Sequence, residues 1–123
     1  MKILLVKPMC KPEVAEITGN LHSMQEIVGG TIQAIYPFED PEAVLICNDD
    51  GKLIGLPLNR CLRDSEGKVY DVIAGTFFIC RAPVGSDRFE SLTEEQVEQY
   101  TEVFCELECF ILIDGELFVI ETN

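Results

Sequence analysis

An α+β fold, mostly antiparallel sheet with two principal helices and a C-terminal hairpin, is what this sequence predicts. Three observations carry the prediction. Short apolar, β-branched runs at residues 2–7, 31–36, 43–47 and 72–80 are bounded by Pro, Gly and acidic residues, the signature of strands. Only two stretches, near residues 20–30 and 93–107, place apolar residues at helical spacing. Asp-Gly pairs at 50–51 and 114–115 stand between candidate strands, where they favour tight hairpin turns. No regular β-α-β rhythm is present, which argues against a parallel α/β sheet.

Taken in order, residues 2–7 form a strand closed by Pro8. Between Pro12 and Gly30 the pattern turns helical: Leu21, Met24, Ile27 and Val28 line one face, Asn20 is the candidate N-cap, and Gly29-Gly30 stops the helix. Residues 31–36 and 43–47 are strands, separated by a loop that Pro37 and Pro41 enforce. Residues 52–56 are the expected return strand of the first Asp-Gly hairpin, limited by Pro57 to an edge. For 58–63 two readings stay open, a helical turn or an extended segment, followed by a turn at 64–67. Residues 72–80 read as one buried strand in which Gly75 marks a bulge or a close backbone approach. The best-specified element follows. Thr93 and Gln96 make a capping box, Leu92 and Val97 a hydrophobic staple, and Val97, Tyr100, Phe104 and Leu107 an apolar stripe. Residues 109–113 and 116–120 complete the second hairpin. No linker or low-complexity stretch divides the chain, so one domain over 1–123 is expected.

Charge is the most distinctive property. The chain carries 22 acidic residues against 9 basic ones and a single His, for a net charge of -13. With 47% apolar residues it is too hydrophobic for a disordered acidic tail and should fold. Direct nucleic-acid binding is disfavoured, because such affinity comes from Lys and Arg displacing counterions from phosphates. The apolar run at residues 3–6 is far shorter than a secretory core of about 7–15 residues, and nothing approaches a membrane span of about 20. A soluble cytoplasmic protein without membrane partners is therefore expected.

The acids are unevenly placed. Residues 1–84 hold 11 acids against 8 basic residues, a net of -3, whereas residues 85–123 hold 11 against Arg88 alone, a net of -10. Glu94, Glu98, Glu102 and Glu106 recur every four residues with Glu95 beside them, a spacing of about 6 Å along a helix. Two readings fit. One is a phosphate-like surface that docks on a basic, nucleic-acid-handling protein; the other is a solvated helix face. A basic corner, Lys52, Asn59, Arg60 and Arg63, also admits two readings. It forms either a pocket for an anionic or nucleotide ligand, or a buried Arg paired internally with Asp64, Asp71 or the acids at 39–40.

Catalytic and metal chemistry find little support. Six cysteines, Cys10, Cys47, Cys61, Cys80, Cys105 and Cys109, form no CxxC pair and are expected as reduced thiols. Cys10, Cys47, Cys80 and Cys109 sit in or beside apolar runs, where free Cys behaves as a small hydrophobe. His22, the single imidazole, reads as an exposed helix residue, and Asp49-Asp50 as turn residues. No catalytic residue, metal ligand or cofactor is nominated, and the chain reads as a non-enzyme.

Several segments are distinctive as a set. They are Tyr36-Pro37 with Glu39-Asp40, Ile46-Cys47-Asn48 with Gly51-Lys52, Gly55-Leu56-Pro57 with Asn59-Arg60 and Arg63-Asp64, and Tyr70-Asp71 with Ala74-Gly75-Thr76-Phe77. With them the chain resembles a family of small proteins, a domain of unknown function, from gut Firmicutes and their plasmids, phages and integrative elements. The resemblance runs from Met1 to about residue 104. It brings no catalytic residues, and its setting implies small binding proteins that act in transfer or against host defence. The apolar hairpin at about 108–121 lies outside it. That hairpin makes a homodimer an expectation, because its apolar strands leave an edge that needs cover.

Overall fold

The computed structural model describes residues 1–122. In chain order the elements are β1 (Lys2–Val6), β2 (Glu13–Glu16), α1 (Leu21–Val28), β3 (Ile32–Ile35), β4 (Ala43–Asn48), β5 (Leu58–Arg63), β6 (Val69–Ala74), β7 (Phe77–Arg81), α2 (Glu94–Val103), β8 (Leu107–Ile113) and β9 (Glu116–Thr122). Five strands form a central sheet in the order β2-β1-β7-β4-β3, and β5-β6 and β8-β9 form two separate hairpins. The pairings among the described residues are antiparallel. The fold is thus α+β and dominated by antiparallel sheet, with the C-terminal hairpin in place.

Strand periodicity explains how the sheet is covered. Successive side chains point to opposite faces, and both faces of β4 and β7 are buried. On β7, Phe77 and Ile79 face one core and Phe78 and Cys80 the other; on β4, Leu45 and Cys47 alternate in the same way with Val44 and Ile46. That double burial is why both strands read as unbroken apolar runs. Helix α1 seals one face, seating Met24 and Val28 on Ile3, Val44, Ile46 and Phe78. Helix α2 and the β5-β6 hairpin seal the other, bringing Tyr100, Phe104, Leu62 and Ile73 onto Leu4, Leu45, Phe77 and Ile79.

The helix ends follow their capping signals. Asn20 Oδ1 accepts from Ser23 N at 2.8 Å, and Gly29 ends α1 at φ 80° with its N–H on the Gln25 carbonyl. At α2, Gln96 N donates to Thr93 Oγ1 at 3.1 Å while Thr93 N donates to Gln96 Oε1 at 2.9 Å, a closed capping box.

Four local expectations change and one open reading is settled. Residues 13–16, inside the stretch read as leading into a helix, form β2, an edge strand held by backbone pairing to β1. Residues 52–56 turn instead of returning as a strand: Ile54 N bonds Asp50 O and Leu56 N bonds Gly51 O, each at 3.0 Å. Gly51 passes so near β6 that a Cβ would lie 2.8 Å from the Ala74 carbonyl. The open segment at 58–63 is extended and is the strand that pairs with β6. Residues 72–80 are two strands in two sheets. Gly75, at φ 84°, breaks them, and its Cβ would fall 2.7 Å from Leu56 Cδ1, so the close-approach reading of this glycine holds and the bulge does not. Finally, α2 stops at Val103 with Phe104 as its C-cap, which puts Glu106 and Leu107 beyond the helix.

Candidate functional site

Helix α2 turns Gln96, Tyr100 and its C-cap Phe104 inward, and these three are buried. At 100° per residue the opposite side is the one that carries Glu94, Glu95, Glu98 and Glu102, all exposed. None of the four has an ion-pair partner among the described residues. Glu106, expected as the fourth member of the row, is exposed but sits in the turn after the helix. The loop holding Glu39 and Asp40 is tied to the first turn of α2, where Gln96 Nε2 donates to Asp40 Oδ2 at 2.9 Å. Glu39, beside Asp40 in that loop, is exposed.

The basic corner is not brought together on one surface. Asn59 and Arg60 are 0% and 1% exposed. Asn59 Nδ2 donates to the Val6 and Gly75 carbonyls, both at 2.9 Å, and its Oδ1 accepts from Arg60 Nη1 at 2.8 Å. Arg60 Nη2 reaches the carbonyls of Cys10 at 2.7 Å and Phe104 at 3.1 Å, and Nε also donates to Phe104 at 3.3 Å. Burial lowers the Arg60 pKa, and Glu108 works against that shift. The guanidinium thus clamps the end of α2, the loop after β1 and strand β5, where the internal reading of the sequence had named carboxylate partners. Flanking apolar residues on both sides of Asn59-Arg60 are the signal that both are interior.

Lys52 and Arg63 face different places. Lys52 Nζ lies 2.5 Å from Asp71 Oδ1 on the rim of a cleft of about 160 Å³ that Gln33, Cys47, Asp49 and Ile73 also line. Burial raises the Asp71 pKa, but the Lys52 hydrogen bond and charge and the Val72 N–H outweigh it and hold the carboxyl below its usual range. Arg63 lines a separate cleft beside Phe38 and Phe104 and holds Glu108 through Nη1 at 3.2 Å and Nη2 at 3.4 Å. Glu108, 5% exposed, also accepts from Cys61 N at 3.3 Å, which fastens the root of the terminal hairpin to β5.

The thiols divide by environment. Cys47, Cys61 and Cys80 are buried, Cys105 and Cys109 are intermediate, and Cys10 is exposed, so the expectation of a core position fails for Cys10 and Cys109 and Cys61 joins the core instead. Burial pushes Cys47 up to about 11 and Cys80 up to about 12, so both are neutral thiols at physiological pH. Among the described residues no three His, Cys, Asp or Glu side chains are placed to hold a metal ion. His22 is on the surface of α1, its Nε2 2.5 Å from Glu26 Oε1. Among the described residues no helix is long and apolar enough to cross a membrane.

Residues 1–105 match the family model described as a domain of unknown function (DUF3846), and the chain belongs to that family. The match ends at the turn before β8, so the terminal hairpin lies beyond it. No curated protein and no solved structure matches the chain.

Proposed function

We propose that this member of the family is a non-enzymatic interaction protein whose acidic α2 face docks on a basic surface of a nucleic-acid-handling protein. One observation carries the reading: Glu94, Glu98 and Glu102 run in line along the outward side of α2, with no cation among the described residues paired to them. Like charges at i,i+4 destabilise a helix by about 0.2–0.5 kcal/mol per pair. Two such pairs are kept in a helix of ten residues, although a single Lys would relieve both. A partner that supplies the cations accounts for that arrangement, and long-range attraction to a molecule of net charge -13 speeds the encounter. The resemblance to proteins carried on mobile elements supports a partner that handles nucleic acid, and a role in the cytoplasm.

The test is affinity capture from a host extract, with the wild type beside an E94K/E98K/E102K variant. Partners specific to the wild type should be basic, released by raised salt and displaced by duplex DNA, and the charge-reversed variant should lose them. Capture of the same basic partners by both proteins overturns the reading.

A further inference from the structure

The six cysteines divide by place as well as by exposure. Cys47, Cys61 and Cys80 are buried, whereas Cys10, Cys105 and Cys109 are the three that solvent reaches. Those three gather where the loop after β1, the end of α2 and the root of β8 meet. Arg60 Nη2 donates at 2.7 Å to the carbonyl of Cys10 and at 3.1 Å to that of Phe104, the residue before Cys105. The main chain at Cys10 and the main chain at 104–105 are therefore bridged by a single nitrogen, and their carbonyl oxygens are no farther apart than those two lengths laid end to end. The turn that carries Cys10 is itself fixed, since Cys10 N donates to Lys7 O at 3.1 Å. Cys109 sits differently, with its Sγ 3.9 Å from Met9 Sδ.

We infer that Cys10 and Cys105 close a reversible disulfide when the protein meets hydrogen peroxide. Exposure and cationic surroundings are what separate reactive cysteines from inert ones, and Cys10 has both. In an acidic molecule it stands between Lys7 and Lys11 in sequence, Lys7 being 3.3 Å from Glu13. The Arg60 guanidinium acts on Cys10 and Cys105 as well as on Glu108. In the first step the Cys10 sulfur attacks one peroxide oxygen, the O–O bond breaks, and a sulfenic acid and water result. The Cys105 sulfur then attacks the Cys10 sulfur, the hydroxyl leaves with the Cys105 proton as a second water, and the S–S bond forms. Two thiols and one peroxide thus give one disulfide and two waters, with one electron lost by each sulfur and both gained by the peroxide oxygens. A small dithiol reverses the bond by exchange. The other thiols are poorly placed for it: Cys47, Cys61 and Cys80 are enclosed, and Cys109 faces the thioether of Met9, which cannot form a disulfide. Closure repeats in covalent form the link that Arg60 makes between the loop after β1 and the end of α2. It spans nearly the whole of the matched region, the long-loop case in which a cross-link stabilises most.

Treatment of the full chain with a slight molar excess of hydrogen peroxide tests it. The intact mass should fall by that of two hydrogen atoms, and peptide mapping should find Cys10 joined to Cys105. After unfolding, two fewer thiols should react with iodoacetamide, and dithiothreitol should restore both. Oxidation should raise the midpoint of thermal unfolding by about 5 °C or more, because the cross-link restricts the unfolded chain. Cys10→Ser and Cys105→Ser should each abolish the cross-link, whereas Cys109→Ser should form it at the wild-type rate. A map that joins Cys10 to Cys109, a cross-link between two chains, or peroxide that only adds oxygen to Cys10 overturns the inference. The wild-type map decides this by itself, even where a serine variant fails to fold.

Discussion

Strands β4 and β7 at the centre of the sheet and strands β8 and β9 at the C-terminus have nearly the same composition and opposite surroundings. Val44, Leu45, Ile46, Phe77, Phe78 and Ile79 are completely buried, whereas Ile111, Leu112, Ile113, Leu117, Phe118 and Ile120 all face solvent to a large degree. The difference is one of layers. The inner strands have a helix over one face and a helix with a hairpin over the other. Among the described residues the terminal strands are tied to the body near their root, through Glu108 and Cys109. An apolar run in a sequence therefore states a requirement for cover without saying who supplies it. In the body the chain supplies it; over the exposed part of the hairpin no described residue does.

The largest effect that can break this comparison comes from truncating one phenylalanine in each region. Phe78→Ala removes a fully buried ring between β1, β4 and α1 and should lower the unfolding free energy by about 3–5 kcal/mol. Phe118→Ala, at a ring 45% exposed and measured in the same way by urea unfolding, should change it by less than about 0.5 kcal/mol. Equal losses at both positions would mean that the hairpin is covered within its own molecule.

The same contrast explains what the sequence could and could not disclose. Local chemistry was legible wherever it is self-contained: Asn20, Gly29, Thr93 and Gln96 cap the helices they were expected to cap. Asp114-Gly115, with φ of 52° and 81°, makes the two-residue turn that its type demands. What failed depends on distant partners. Glu13-Val14-Ala15-Glu16 has no strand pattern of its own and is extended because β1 offers an edge. Asp50-Gly51 looks like a hairpin turn, but the route beyond it is set by the contact of Gly51 with Ala74. For the site, the row of glutamates on α2 was readable through Glu102, since helical spacing alone places it. The fate of Arg60 was not, because its acceptors are backbone carbonyls 44 and 50 residues away, to which no side-chain pattern points.

That buried guanidinium gives the next sharpening, of intermediate size. Arg60→Ala should destabilise the protein by about 1–3 kcal/mol, because the Phe104 and Cys10 carbonyls lose their donor and Asn59 Oδ1 loses its partner. Arg60→Lys should recover little, since one ammonium cannot reproduce donors spread over Nε, Nη1 and Nη2. Thermal unfolding of both variants, followed by circular dichroism, checks the order.

The smallest effect separates the two regions through their thiols. Cys47 and Cys80, seated among the inner strands, are held neutral by burial up to about 11 and about 12, whereas an unfolded chain ionises its thiols near 9.0. The native state therefore keeps protons that the unfolded state releases above that pH. The sign follows from linkage: this part of the stability is intact below about pH 9 and declines as pH rises from there toward 11 and 12. Cys109 on β8 and Cys10 in the loop after β1 have no such enclosure. A thiol reagent at neutral pH should accordingly modify Cys10 and Cys109 at once, and Cys47 and Cys80 only at the rate of global opening. Mass mapping of the adducts at successive times reads this directly. Early labelling of Cys80 would show that the inner strands open more readily than their packing implies.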